Sequence, residues 1–370
     1  MLLHYAAHPS PSVKQHGLIW EAMGEQIPVD RASFGLCGSV RAFEEYTILP
    51  PASAAAESAG SNAAQPKTSC EFDSNGRLTV RTYRNPDGSE GGVRFLYNPS
   101  GLLLRTISGM RGQAPTESVN EYDDRGRIER TTSSAPSLHT ATHSYDEHGR
   151  KKKIQTSGPE DYRPNLSFSG AFAAYDHAPN LPGGGTTTTF YDEEDKPYEI
   201  EVRDDLGELV ERVTRTYGEN GNVAEEAVIL PDPIAILPRQ TRERILDQAG
   251  ASVNDLRDQL SKLIPSQPGL WSVKYERDVH GRVIKTRRRI FNREETIETS
   301  YNDHGGVSRE ITRGTANGDA PDRGPQFCEA IHAYQYDANG NWTEQIVSYR
   351  NDPGKPFKVS SRTTRTLTYY

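Results

Sequence analysis

Tyr122-Asp123-Asp124-Arg125-Gly126-Arg127-Ile128 is the stretch that decides the fold, because related cassettes recur along most of the chain. The first four cassettes begin 25, 25 and 23 residues apart. A nearly constant period of this size indicates a repeat architecture. The other copies begin at Phe72, Tyr97, Tyr145, Tyr217, Tyr275, Tyr301 and Tyr336.

Each repeat unit is predicted to be a β-hairpin. The residues before the tyrosine alternate and are rich in Thr, Ser and Val, as in 140–145, which is typical of a strand. The segment from Asp to Gly predicts a turn, because Asp bonds its own backbone and Gly adopts positive φ without a steric penalty. After the turn, Ile128 and Arg130 are expected on one face of the second strand by period-2 geometry.

These patterns assign a structural role in the repeat, rather than a chemical one, to a set of residues. They are Tyr97, Tyr122, Asp123, Gly126, Tyr145, Asp146, Gly149, Tyr217, Gly221, Tyr275, Gly281, Tyr301, Gly305, Tyr336, Asp337 and Gly340.

Composition narrows the class of protein. Only 34% of the 370 residues are hydrophobic, so thin layers that neighbouring units bury are expected rather than one thick core. The net charge of -8 argues against general binding of nucleic acid. Cys37, Cys70 and Cys328 form no CxxC pair and are expected to be free thiols.

Three regions follow from the distribution of the cassettes, and the third contains a loop and an insert. Residues 1–48 form an N-terminal region of unclear fold, and the Ala/Ser/Pro-rich segment 49–68 is expected to be a flexible linker. The repeat array occupies 69–370, with a long loop at 159–189 and a helical insert at 231–268. The insert is expected to be a helical hairpin, whose second helix Ser252 and Asp255 would cap, and to cover part of the sheet or an open edge.

The cassette resembles the YD repeat of the Rhs family, which includes bacterial polymorphic toxins, shell subunits of insecticidal toxin complexes and teneurins. The match covers about residues 70–370, and Tyr336 to Trp342 is its cleanest copy. The resemblance implies a bacterial origin and a spiralled ribbon of β-hairpins, which in large members closes into a hollow shell. The Asp-Pro-x-Gly-Leu motif that ends the shell of toxin carriers is absent, since Asp232-Pro233 continues with Ile234. For this shorter array we expect an all-β open spiral or half-shell.

No catalytic, cofactor or metal site is predicted. His139 and His143 stand four apart on a predicted strand, which separates them by about 13 Å. The basic run from Lys285 to Arg293 is divided between two faces by strand alternation and is diluted by neighbouring glutamates. No GxSxG elbow, phosphate-binding loop or dinucleotide fingerprint is present.

We therefore expect a non-enzymatic scaffold that binds or partly encloses a large partner, such as a polypeptide, a glycan or a toxin-like cargo. The alternatives are an orphan or accessory fragment of an Rhs-type toxin locus and, third, a carbohydrate-active enzyme. The expected partner is an unidentified protein or glycan, with no nucleic acid and no membrane span. The N-terminus does not read as a signal peptide, which predicts a cytoplasmic location, or a secreted or surface one if the start codon lies upstream.

Overall fold

The computed structural model describes residues 30–48, 66–134, 139–158, 183–229, 252–263, 271–290, 293–316 and 326–370, with Glu243, Leu246, Asp247 and Gly250 between them. Its strands confirm the all-β class, and the α-helix α1 spans Val253–Leu263. The strands are β1 Val40–Ile48, β2 Lys67–Phe72, β3 Leu78–Arg84, β4 Glu90–Tyr97, β5 Leu103–Met110, β6 Thr116–Tyr122, β7 Ile128–Ser133, β8 His139–Tyr145, β9 Lys151–Ser157, β10 Gly184–Tyr191, β11 Pro197–Asp204, β12 Leu209–Tyr217, β13 Val223–Ile229, β14 Trp271–Arg277, β15 Val283–Ile290, β16 Arg293–Tyr301, β17 Val307–Ala316, β18 Gln326–Tyr336, β19 Trp342–Arg350 and β20 Lys358–Tyr369.

Each cassette joins two antiparallel strands through a turn followed by a β-bulge. In the third cassette Tyr122 pairs with Ile128, whereas Glu121 pairs with Arg130, so the register shifts by one residue. A bulge of this kind places one extra residue in a strand and turns the following side chains over. Ile128 and Arg130 therefore lie on opposite faces, and the expectation that they share one face is wrong.

The sheet is closed into a barrel. Every strand from β2 to β19 pairs with its neighbours in the chain, and β1 pairs antiparallel with both β2 and β20. The expected open spiral or half-shell is therefore wrong. The closing strand, Val40–Ile48, comes from the region that carries no cassette and had no predicted fold.

The two ends of the barrel differ in their connections, because successive hairpins alternate between ends. All of the cassettes connect an even-numbered strand to the next one and lie at one end, which we call the cassette rim. The connections at the opposite end contain the long segments 49–66, 158–183 and 230–270.

Parts of these segments were the subject of predictions. Most of the linker 49–68 and residues 159–182 of the predicted loop lie outside the described residues; β10 begins at Gly184, within the predicted loop segment. Helix α1 occupies part of the insert, and Ser252 and Asp255 hydrogen-bond each other's backbone amides across its first turn at 3.2 and 2.9 Å. Most of the first predicted helix of the insert is not described.

A cluster of buried hydrophobic residues lies where the N-terminal segment meets β1–β4. Val40, Phe43, Cys70 and Leu78 are all nearly inaccessible to solvent. A short 3₁₀ helix at Ala32–Phe34 brings the Phe34 ring to 5.4 Å from that of Phe43. The segment before β1 therefore packs onto the barrel.

Candidate functional site

The cassette turns share one hydrogen-bonding pattern. In the third cassette, the Asp123 carboxylate accepts backbone N–H groups of Arg125 at 3.0 Å and of Arg127 at 2.8 Å. These bonds, led by the one from the Arg127 backbone, hold the pKa of the Asp123 carboxyl below its usual range. Gly126 closes the turn with φ 75°, a conformation that glycine adopts without a Cβ clash.

Each cassette is also linked to the tyrosine of the next one. Arg127 donates its Nε–H to Asp123 at 2.7 Å, and its guanidinium lies 4.3 Å from the centre of the Tyr145 ring. The Tyr145 hydroxyl in turn donates to the carbonyl oxygen of Ile128 at 2.8 Å. One arginine thus clamps its own turn and stacks on its neighbour, a cation–π arrangement.

The link from the tyrosine hydroxyl to the preceding unit recurs around the rim. The pairs, donor first, are Tyr97–Leu78, Tyr122–Leu103, Tyr145–Ile128, Tyr191–Lys151, Tyr217–Pro197 and Tyr301–Val283. Tyr191 was not among the predicted residues, although it is followed by Asp192 and by a turn with Asp195 at φ 64° in place of glycine. The Tyr191-Asp192 pair, rather than the turn glycine, was therefore the sequence signal for this cassette.

Three cassettes depart from the pattern, and the first has Phe72 in place of the tyrosine. The register pairs Arg277, and not Tyr275, with Val283, so an arginine occupies the tyrosine position of that cassette. Tyr336 hydrogen-bonds Asn302 at 2.8 Å and stacks on the His304 ring at 4.0 Å. A side chain from the preceding turn still contacts Tyr336, but Asn and His replace the arginine.

The closing joint uses a modified form of the same contacts. Tyr369 at the end of β20 hydrogen-bonds Asp337, as a cassette tyrosine would contact the preceding turn. Asn341, only 1% exposed, accepts the Cys37 N–H at 2.6 Å and donates to the Cys37 carbonyl at 2.9 Å and to the Tyr369 hydroxyl at 2.8 Å. The Tyr370 hydroxyl reaches the Phe72 carbonyl at 2.6 Å. These contacts join both chain ends of the ring.

The two faces of the sheet have different chemistry. One face, which we call the tyrosine face, carries the cassette tyrosines and most of the buried apolar side chains, among them Val93, Ile200 and Val213. The other, the charged face, carries rows of ion pairs, nearly all of them between neighbouring strands: Arg105–Glu117, Arg130–Glu121, Arg203–Glu201–Arg212, Lys274–Glu225, Arg287–Glu276, Lys285–Glu298–Arg313, Arg309–Glu329–Arg350 and Arg362–Glu344.

Ionisable groups on the tyrosine face are fewer, and two of its carboxylates pair with arginines. Glu226 is 3% exposed and accepts the Arg215 Nε–H at 2.6 Å. Burial raises the pKa of the Glu226 carboxyl, and the Arg215 guanidinium opposes that shift. Arg288 pairs with Glu295 on the same face. The basic run around Arg288 is thus divided, since Arg287 and Arg289 lie on the charged face.

Within the ranges given above, no His, Cys, Asp or Glu side chains form a group that could hold a metal ion. His139 and His143 both lie on β8 and on the tyrosine face, and burial lowers the pKa of His143. No helix among the described residues is long and apolar enough to cross a membrane.

Comparison with known proteins gives distant structural likenesses. No protein-family model and no curated protein matches the sequence. A crystal structure described as a porin-like protein from Bacteroides uniformis ATCC 8492 is 11% identical, with a TM-score of 0.31, and the match covers 89% of this chain and 96% of that one. A porin-like protein from Bacteroides vulgatus ATCC 8482 has 9% identity, a TM-score of 0.19 and coverages of 90% and 99%.

A third similar structure is that of TcdB2-TccC3, at 12% identity and a TM-score of 0.29. The match covers 85% of this chain but only 18% of that one. At TM-scores this low the likenesses carry no functional argument, and the closed barrel is established by the strand pairing of the chain itself.

Two expectations from the sequence are corrected here. The open scaffold that binds or partly encloses a large partner is wrong, because the ring of twenty strands leaves no open concave sheet and no free edge. The expectation of no membrane span is also wrong as it stood, because it considered helices alone, whereas closed barrels of strands are the second architecture that crosses bilayers.

Proposed function

We propose that the protein is a non-enzymatic YD-repeat barrel whose closed wall encloses a water-filled interior that small polar solutes enter. Membership of the Rhs type is part of this proposal. It is supported by the recurrence of one turn, one arginine clamp and one tyrosine link around the rim. The observation that carries the functional proposal is the uninterrupted ring of twenty paired strands.

Strand number sets the width of the interior. Strands about 4.8 Å apart and tilted by about 40° give a circular ring of twenty strands a backbone diameter of about 40 Å. Barrels of about 16–18 strands already enclose an aqueous channel. The strands also contact mainly their immediate neighbours in the ring, as expected for a wall around a space.

We assign the tyrosine face to the interior. Side chains on the inner side of a closed barrel converge, and those on the outer side spread apart. The tyrosine face carries the buried residues, such as Phe95 and Val228, whereas the exposed strand residues Leu96, Val119 and Ile331 lie on the charged face. Because the charges of Arg215 and Glu226 neutralise each other, this part of the inner wall is polar but carries no large local charge.

Cys328 provides the test, because its side chain lies on the tyrosine face and is partly exposed. Cys37→Ser would remove the exposed thiol, and Cys70, which is buried and has a pKa of about 12, would remain unreactive. We expect a small maleimide to label Cys328 and a maleimide on a polyethylene glycol chain of several kilodaltons to label it far more slowly.

The control adds Arg287→Cys on the charged face, in a variant whose Cys328 is replaced by Ala; both reagents should label this thiol at similar rates. If the large reagent labelled Cys328 as readily as it labels this control, the tyrosine face would not line an interior. If the small reagent failed to label Cys328 in the native protein, solutes would not enter it.

The absence of enzymatic activity and the cytoplasmic location stay predictions. Fractionation of the producing cells tests the location: recovery with the soluble proteins agrees with it, and recovery with the membranes contradicts it.

A further inference from the structure

A groove of about 650 Å³ lies on the charged face across β3, β4 and β5, away from the interior proposed above. Two glycines form the floor of this groove, so the layer of side chains is interrupted there. Gly92 pairs directly with Gly109 across β4 and β5, and Thr82 pairs with Gly92 across β3 and β4. Two glycines opposite each other leave no side chain over the backbone at that point.

The backbone around the gap keeps it open. A Cβ on Gly92 would lie 2.9 Å from the carbonyl oxygen of Arg81, and a Cβ on Gly109 would lie 3.2 Å from the Cα of Pro115. Side chains at either position would require the backbone to move. The loop that contains Pro115 therefore forms one wall of the groove beside its glycine floor.

Arginines stand on both sides of the floor. Arg94 lies two residues along β4 from Gly92, toward the cassette rim. Glu90 lies two residues from Gly92 in the other direction. Glu90 holds two further arginines: its carboxylate lies 3.3 Å from Nε of Arg84 and 2.9 Å from Nη1 of Arg111. Positions two residues apart on a strand are separated by about 7 Å, so these groups border one gap from opposite sides.

Arg84, Arg94, Arg111 and Glu90 together carry a net positive charge, although the chain as a whole has a net charge of -8. Glu90 is one carboxylate for three guanidinium groups. Arg94 makes no ion pair within the part of the chain that the structure describes, whereas most arginines elsewhere on the charged face are matched to a glutamate. The planar guanidinium fork matches the oxygens of phosphate and sulfate groups.

We propose that this groove binds the phosphate or sulfate group of a small ligand between Arg94 on one side and Arg84 and Arg111 on the other. The group rests over the glycine floor, where no side chain competes for the space. Glu90 positions Arg84 and Arg111 and contributes no contact to the anion.

The test is calorimetric titration of the full chain with inorganic pyrophosphate and, separately, with sodium sulfate, in chloride buffer at constant ionic strength. We expect saturable binding of at least one anion. The double variant Arg94→Gln with Arg111→Gln should weaken it about ten-fold or more, since each removes a charge-assisted hydrogen bond. Pyrophosphate binding alone would identify a phosphate site, and sulfate binding alone a sulfate site.

The matched control is Arg130→Gln with Arg287→Gln, which removes the same charge from the same face outside the groove. It should bind as the unmodified protein does. Equal loss in both double variants would mean general attraction to a basic surface and would overturn the proposal. Unchanged binding in the groove variant, or no binding of either anion by the unmodified protein, would overturn it as well. Equal urea midpoints would show that all of the proteins are folded.

Discussion

Replacing Asn341 by alanine tests whether the barrel is closed by β1. The Asn341 side chain makes three hydrogen bonds, two to the backbone of Cys37 and one to the Tyr369 hydroxyl. At about 1 kcal/mol for each bond, the variant should lose about 3 kcal/mol of unfolding free energy. The loss should be concentrated where the segment before β1 meets the rim, because that segment and Tyr369 lose their shared partner.

Hydrogen exchange measured by mass spectrometry locates the effect. A local loss of about 3 kcal/mol raises exchange rates by roughly a hundred-fold. We expect that increase in β1 and in the facing parts of β2 and β20, which pair with it. Strands on the far side of the ring, such as β10 and β11, should keep their protection.

Asn222 provides the matched control. It follows a cassette glycine as Asn341 does, but its side chain is exposed. Asn222→Ala should change the unfolding free energy by less than about 0.5 kcal/mol. If Asn341→Ala behaved like Asn222→Ala, or if protection fell equally in all strands, the joint described here would not hold the ring closed.

Four further predictions concern the cassettes and the closing strand. Gly126→Ala should cost about 1 kcal/mol or more in urea unfolding because φ is 75°, whereas Gly354→Ala, whose φ is not positive, should cost less; equal costs would contradict the turn assignment. Tyr145→Phe should cost about 1 kcal/mol by removing one hydrogen bond and Tyr145→Ala about 3 kcal/mol, measured the same way; a fully tolerated alanine would contradict the role of the ring. The folded-state pKa of Asp123 is lowered, so its stabilisation is present above the unfolded pKa of about 3.9 and is lost as pH falls through the folded pKa; Asp123→Asn should therefore narrow the stability difference between pH 6 and pH 3. Removal of residues 1–48 should leave β2 and β20 each with one free edge and cause the chain to associate, and a monomer in size-exclusion chromatography would contradict this.

The local structure was largely accessible from the sequence because each cassette contains its own turn chemistry. Gly126 and Asp123 act through backbone contacts within five residues, and such contacts leave a direct signature in the residue types. The bulge had no such signature. It inserts one residue after the turn and moves Arg130 to the face opposite Ile128, so the charged positions form a separate face instead of interrupting an apolar one.

The sequence shows the arginine of the clamp but does not show which side chain it contacts. Arg127 follows the cassette glycine in the sequence, yet its ring partner, Tyr145, belongs to the next unit. Nothing in one cassette shows which neighbour it touches. In the same way, the pairing that makes Arg277 the equivalent of a cassette tyrosine depends on the register with Val283 and could not be derived from Tyr275 alone.

Closure depends on a strand without a cassette, for a reason of strand direction. The hairpins of the array supply β2 to β20, an odd number of strands that alternate in direction, so β2 and β20 run parallel to each other. The array therefore could not close on itself with the antiparallel pairing that it uses everywhere else. One further strand that runs antiparallel to both β2 and β20 allows the ring to close with antiparallel pairing throughout. β1 is this strand, since it pairs antiparallel with each of them. The sequence of β1 needs only to fit between two edges, whereas each cassette must also form a turn, and so β1 carries no repeat motif. The cassettes account for β2 to β19, and β20 follows the last of them. These nineteen strands alone have two free edges, so the complete ring needs a twentieth strand, β1, from outside the repeat array.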